Sequence, residues 1–139
     1  ALRQAVGSAW YSDAEAFCLL RRPTSCRKRP RNSRPTRPRC WEKALDRACA
    51  VPLEVMTACG EGIALAAEYA EKGSVLARSD AGCAALFCKA AMQAAGLNVK
   101  VNTRLMADKA HADALEARAE QLLAEFVPQA GQGLSDCIK

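Results

Sequence analysis

The chain has 139 residues, enough for one domain with a real core, and half of them are hydrophobic. Only seven are Phe, Trp or Tyr and alanine carries much of the apolar content, a composition that points to an all-α helical bundle of about four to six helices. The net charge is +5, yet uninterrupted apolar runs stay far below the ~20 residues of a membrane span and no cationic-then-apolar leader opens the chain, so a cytoplasmic domain without a membrane partner is expected.

Residues 1–18 read as a first helix, with Leu2, Val6, Ala9, Trp10, Asp13, Ala14 and Phe17 at three- and four-residue steps. There is no initiator Met and the helical pattern is already running at Ala1, which reads as a start inside the gene product. Asp13 and Glu15 are the acids of this segment; by composition alone both are solvated helix charges.

The grammar breaks from Leu19 to Cys40, which holds four of the six prolines and no acids. Proline removes a helical donor and constrains the residue before it, so this segment reads as an irregular, poorly packed insert within the domain. The positive charge concentrates there: nine Lys/Arg lie between Arg21 and Arg39, and removing them from the 20 basic residues leaves 11 against 15 acids. Such an arm can hold nucleic-acid phosphates, but it has no aromatic for base stacking, and nucleic acid is not the expected partner.

Helical spacing resumes at Trp41, where Leu45, Ala48, Cys49, Pro52, Val55, Met56 and Cys59 share a face, and Pro52 is expected to kink that helix or start another. A run through Ile63, Ala66 and Tyr69 ends at Gly73, a good helix-terminating residue. Ser74 to Arg78 is a link. The central helix then begins at Ser79-Asp80, a pair suited to capping a buried helix start, and continues as an Ala-rich stretch apolar on nearly all faces. It ends in Asn98 and Asn102, whose spacing places two amides on one face. A last amphipathic helix carries Leu105, Ala112, Leu115, Ala119, Leu122 and Phe126, with His111 at its solvent edge, and Pro128, Gly131 and Gly133 are expected to interrupt the tail.

The eight cysteines include no CxxC pair and only one His accompanies them, so free, buried thiols are expected rather than a metal site or disulfide framework. There is also no Gly-rich phosphate loop, GxSxG or HExxH.

An ordered set of short motifs narrows this further. Asp13-Ala14-Glu15-Ala16-Phe17, Val51-Pro52-Leu53-Glu54-Val55-Met56, Gly73-Ser74, Arg78-Ser79-Asp80-Ala81-Gly82 and Asn98-Val99-Lys100-Val101-Asn102 together resemble the cyclodeaminase/cyclohydrolase family. The resemblance covers the chain except Leu19 to Cys40. It implies an all-α homodimer, a tetrahydrofolate substrate and no bound cofactor. It also implies hydrolysis of 5,10-methenyltetrahydrofolate to 10-formyltetrahydrofolate, or the related cyclodeamination of 5-formimidoyltetrahydrofolate with loss of ammonia. Cyclohydrolase is preferred because no formimidoyltransferase domain accompanies the motifs.

On that resemblance Asp13 is the proton-transfer group, Asp80 the carboxylate at the helix start with Ser79 beside it, and Asn98 and Asn102 the amides that orient the pterin. The chain departs from the family in lacking an opening Pro-Gly-Gly-Gly-Ser stretch, in carrying Tyr11 where the family has a second acid, and in Leu19–Cys40. A compensated pair of frameshifts in a GC-rich gene produces such a switch. The contending reading is a non-enzymatic helical protein whose basic arm binds nucleic acid.

Overall fold

Among the described residues three long helices carry the structure. The computed structural model describes the backbone of residues 39–138 and the side chains of residues 41–132. Helix α1 is Arg39–Lys72, a 3₁₀ turn follows at Val75–Ala77, helix α2 is Arg78–Thr103 and helix α3 is Lys109–Ile138. Among the described residues there is no strand, and the fold is all-α. The predicted helix over 1–18 and almost all of the Leu19–Cys40 segment lie outside the described residues. Of that segment only Arg39 and Cys40 are described, and they already belong to α1.

The helices run up, down and up. Glu42 near the start of α1 accepts the Ala107 N–H beyond the end of α2, and Ile63 and Ala66 near the end of α1 share a core cluster with Ala85 near the start of α2. The main core joins Leu53, Met56 and Ile63 of α1 to Met92, Ala95 and Val99 of α2 and Ala119 of α3. A second cluster closes the other end with Leu45, Cys49, Met106 and Ala112. Small residues set the helix crossings. Gly60 faces the Phe126 ring and Gly96 faces Met56 and Leu123, so backbones approach where a larger side chain would hold them apart.

Of the two outcomes expected at Pro52, a new helix does not occur, since α1 runs through it, and Pro128, Gly131 and Gly133, expected to interrupt the tail, all lie inside α3. Their environments differ in a way that explains both prolines. Pro52 is buried, and the carbonyl it leaves without an amide donor, on Ala48, is supplied by another helix. Pro128 and the corresponding Ala124 are exposed, where water can take that role.

Gly73 does close α1, but without a positive φ. Its N–H bonds the Tyr69 carbonyl at 2.8 Å, and a Cβ there would sit 2.4 Å from that oxygen, so the position admits no side chain. Helix α1 is also long enough to cross a membrane and holds an 18-residue window apolar enough to do so, with a mean hydropathy of 1.4, which a count of uninterrupted apolar runs misses. Here Leu45, Cys49, Met56 and Ile63 of that helix are fully buried against α2 and α3.

An Ala-rich helix apolar on most faces is expected in the middle of the bundle, and among the described residues one side of α2 is covered. Ala81, Ala85, Met92, Ala95, Val99 and Thr103 are buried, while Phe87 is 77% exposed, Leu97 67% and Val101 59%. Both described neighbours pack on the same side of the helix, and among the described residues none covers its opposite apolar face.

Candidate functional site

Four of the five residues singled out by sequence lie on α2, and the helix does not gather them. Asp80 and Asn98 are 18 residues apart, which at 1.5 Å per residue is about 27 Å along the axis. Eighteen residues are also about five whole turns, so the two side chains leave the helix along the same edge. Asp13 lies outside the described residues.

At the N-terminal end, the expected cap is absent. The helix begins at Arg78 with Ala77 as its N-cap and no side-chain cap bond. The cap function belongs to Ser74, one element earlier, whose hydroxyl accepts the Leu76 N–H at the start of the 3₁₀ turn. Ser79 and Asp80 therefore sit in the first turn, and both are exposed rather than buried. The Asp80 carboxylate still lies where unpaired backbone N–H groups and the helix dipole favour negative charge. A shallow apolar depression lies nearby, lined by Ile63, Ala66, Ala81, Gly82 and Gln129.

At the C-terminal end the two amides part company. Asn98 is exposed, whereas Asn102 is half-buried and its Nδ2 donates to the Ala48 carbonyl of α1 at 3.0 Å. Ala48 is four residues before Pro52, so this is the carbonyl that a proline leaves without its i+4 amide. One donor of Asn102 is thus committed to the fold, and its side-chain carbonyl stays available for a ligand.

Polar ties that sequence reasoning missed surround this end. The buried Thr103 hydroxyl lies 2.5 Å from Glu116 Oε1 and 3.1 Å from the Lys100 carbonyl. Lys100 Nζ donates to Glu120 at 3.0 Å, and Asp108 caps α3 by accepting the His111 N–H. His111 is exposed, as expected, with Nε2 2.9 Å from Asp46 Oδ1. These contacts join residues up to 65 positions apart in sequence, and no local pattern announces them.

The described cysteines are free thiols, but they are not uniformly buried. Cys49 is fully enclosed, Cys59 and Cys88 are half-buried, and Cys83 is exposed. Burial, then the charges of Asp46 and Glu116, push the Cys49 thiol up to about 11. Burial and a hydrogen bond to Cys88 raise Cys59 as well. Among the described residues no three His, Cys, Asp or Glu side chains form a group able to hold a metal.

Comparison with known proteins adds two findings. Residues 1–121 match the formiminotransferase-cyclodeaminase family. A methenyltetrahydrofolate cyclohydrolase from Methylorubrum extorquens is 36% identical over 124 residues, which is 89% of this chain and 60% of that protein. The chain therefore spans less than two thirds of the length of the curated relative it matches.

Proposed function

Because the chain belongs to the formiminotransferase-cyclodeaminase family, we propose that it serves tetrahydrofolate one-carbon metabolism by hydrolysing 5,10-methenyltetrahydrofolate to 10-formyltetrahydrofolate, and that it works as a homodimer. The observation that carries this reading is the 36% identity, over 89% of the chain, to a protein named for that reaction.

The chemistry asks little beyond positioned carboxylates and amides. The substrate's one-carbon bridge is a cation shared between N5, the carbon and N10. Water adds to that carbon, a C–O bond forms, and one proton leaves the water for a base. Collapse of the tetrahedral adduct forms the C=O as its hydroxyl gives up its proton, breaks the C–N5 bond and leaves a proton on N5, so the formyl group remains on N10 and one proton is released overall. A carboxylate close to the bridge stabilises the cation and handles the proton, and amides hold the pterin edge. On this reading Asp80, exposed in the first turn of α2, is the carboxylate that faces the bridge, with Ser79 beside it. Asn98 and the free carbonyl of Asn102 orient the pterin, and Asp13 completes the proton transfer.

The test is the loss of methenyltetrahydrofolate absorbance. Turnover well above the rate in buffer, strongly reduced by Asp80→Asn, is expected. A rate equal to buffer sinks the reading. Ammonia release from 5-formimidoyltetrahydrofolate, without methenyl hydrolysis, points instead to cyclodeamination.

A further inference from the structure

Two thiols meet where α1 packs on α2. Cys59 and Gly62 are three residues apart, so they share a face of α1. That face meets α2 at Cys88. A Cβ on Gly62 would lie 3.0 Å from the Cys88 Sγ, so the sulfur fills the space that a side chain at 62 would take. The Cys59 thiol is hydrogen-bonded to Cys88 at the same place. Both side chains are half-buried and pack against the main core, and both are free thiols.

The other described cysteines lie elsewhere. Cys49 belongs to the second core cluster, at the opposite end of α1. Cys83 is exposed, and five residues of helix turn it about 140° away from Cys88. The folate chemistry proposed above uses none of these sulfurs. We propose that Cys59 and Cys88 form a redox-sensitive dithiol, which hydrogen peroxide converts to a disulfide joining α1 to α2.

The reaction balances in two steps. The thiolate of one residue attacks peroxide, an S–O bond forms, the O–O bond breaks and the leaving oxygen departs as water. The sulfur of the other residue then attacks the resulting sulfenic acid. An S–S bond forms, the S–O bond breaks and a second water leaves. Together the two thiols lose two electrons and two protons, and the peroxide is reduced to two waters. Burial, and then the adjoining Cys88, hold the proton on Cys59, so the pair rests reduced until an oxidant acts.

The bond would tie α1 to α2 across the turn between them. It closes a loop of about 30 residues in the unfolded chain, which favours the folded state. It also sits beside the candidate site. Asp80 is eight residues before Cys88, about 12 Å along α2, and Ile63, one turn beyond Cys59, lines the depression shared with Ala81 and Gly82. Oxidation therefore fixes the two helices that flank that depression.

The test uses the full chain carrying Cys83→Ser, which removes the exposed thiol. After hydrogen peroxide, alkylation of the remaining thiols and tryptic digestion without reductant, residues 48–72 should be found joined to residues 79–89. Fragment masses should place the bond on Cys59 and Cys88, and dithiothreitol should release it. Adding Cys59→Ser or Cys88→Ser should abolish the joined peptide, whereas Cys49→Ser should leave it. The bond should form at least about tenfold faster in the folded protein than in concentrated urea, because the fold holds the sulfurs together. The oxidised protein should unfold at a urea midpoint higher by about 1 M, returning to the starting value on reduction. Absence of the Cys59–Cys88 bond, a bond to any other cysteine in its place, or equal rates in buffer and urea overturns the dithiol. A Cys59–Cys88 bond that leaves the midpoint unchanged overturns the tie between the helices.

Discussion

The side-chain amide of Asn102 stands in for the backbone N–H that α1 lacks at Pro52, donating to the Ala48 carbonyl at 3.0 Å. A proline inside a helix costs most where its orphaned carbonyl is cut off from water, and here both Ala48 and Pro52 are buried. Asn102→Ala should therefore destabilise the fold by about 1–3 kcal/mol in urea unfolding, with no ligand present. Pro52→Ala returns the amide to the helix, and in that background the cost of Asn102→Ala should fall well below ~1 kcal/mol. Additive costs would show that the amide does not serve the proline.

The two glycines at the helix crossings should respond in opposite directions to alanine. A Cβ on Gly60 would lie 2.7 Å from two ring carbons of Phe126 and 3.1 Å from Cγ, close to the root of that side chain, so the ring cannot simply swing away. Gly60→Ala is expected to cost about 1–3 kcal/mol, partly recovered by Phe126→Leu. A Cβ on Gly96 meets Leu123 Cδ1 at 3.4 Å and Met56 Cε at 3.6 Å, which is ordinary contact. Gly96→Ala should be neutral or stabilising by up to ~1 kcal/mol, because alanine is the better helix former. Thermal melts of the two single variants read this contrast directly.

This contrast also shows what the sequence could and could not disclose. Alanine content and three-to-four spacing made α1, α2 and α3 legible, since helix propensity and periodicity are local. That the helices run on through their prolines was not legible, because tolerance of Pro52 depends on a side chain 50 residues away, and tolerance of Pro128 depends on which side of α3 is wet. The Ser79-Asp80 cap misled for a similar reason: Ser74 starts a 3₁₀ turn that feeds directly into α2, so the orphan amides begin one turn earlier. Apolar character around all of α2 could announce partners on both sides but not which elements supply them. The site residues were legible only as an ordered family resemblance; no periodicity distinguishes Asn98, exposed, from Asn102, tied to α1.

Thr103 offers a third test, of the polar ties at the end of α2. It is the buried polar residue among the described core positions, 1% exposed, and its hydroxyl reaches Glu116 of α3. Thr103→Val keeps the shape but removes the donor and leaves the half-buried carboxylate facing a methyl group. A loss of about 1–3 kcal/mol is expected, as for a hydrogen bond to a charged acceptor. Thr103→Ser keeps the hydroxyl and should retain most of that stability in chemical unfolding.

Cys49 should give the protein an alkaline limit. In the unfolded chain its thiol titrates near 9.0, whereas in the fold burial and the neighbouring acids raise it to about 11. Below pH 9 both states hold the proton, so the stabilisation is fully present. Above pH 9 only the unfolded state gains by deprotonation, and stability is lost as pH rises through the folded value. The whole interval is worth about 2–3 kcal/mol at 1.36 kcal/mol per pKa unit. Urea unfolding at pH 8 and pH 10.5 should therefore show a decline in wild type about 2 kcal/mol steeper than in Cys49→Ala. The same burial orders thiol reactivity. At pH 8 an alkylating reagent should modify exposed Cys83 first among the described cysteines, and Cys49 only as fast as the protein unfolds. Early modification of Cys49 at neutral pH would mean that the Leu45–Met106 end of the core opens without global unfolding.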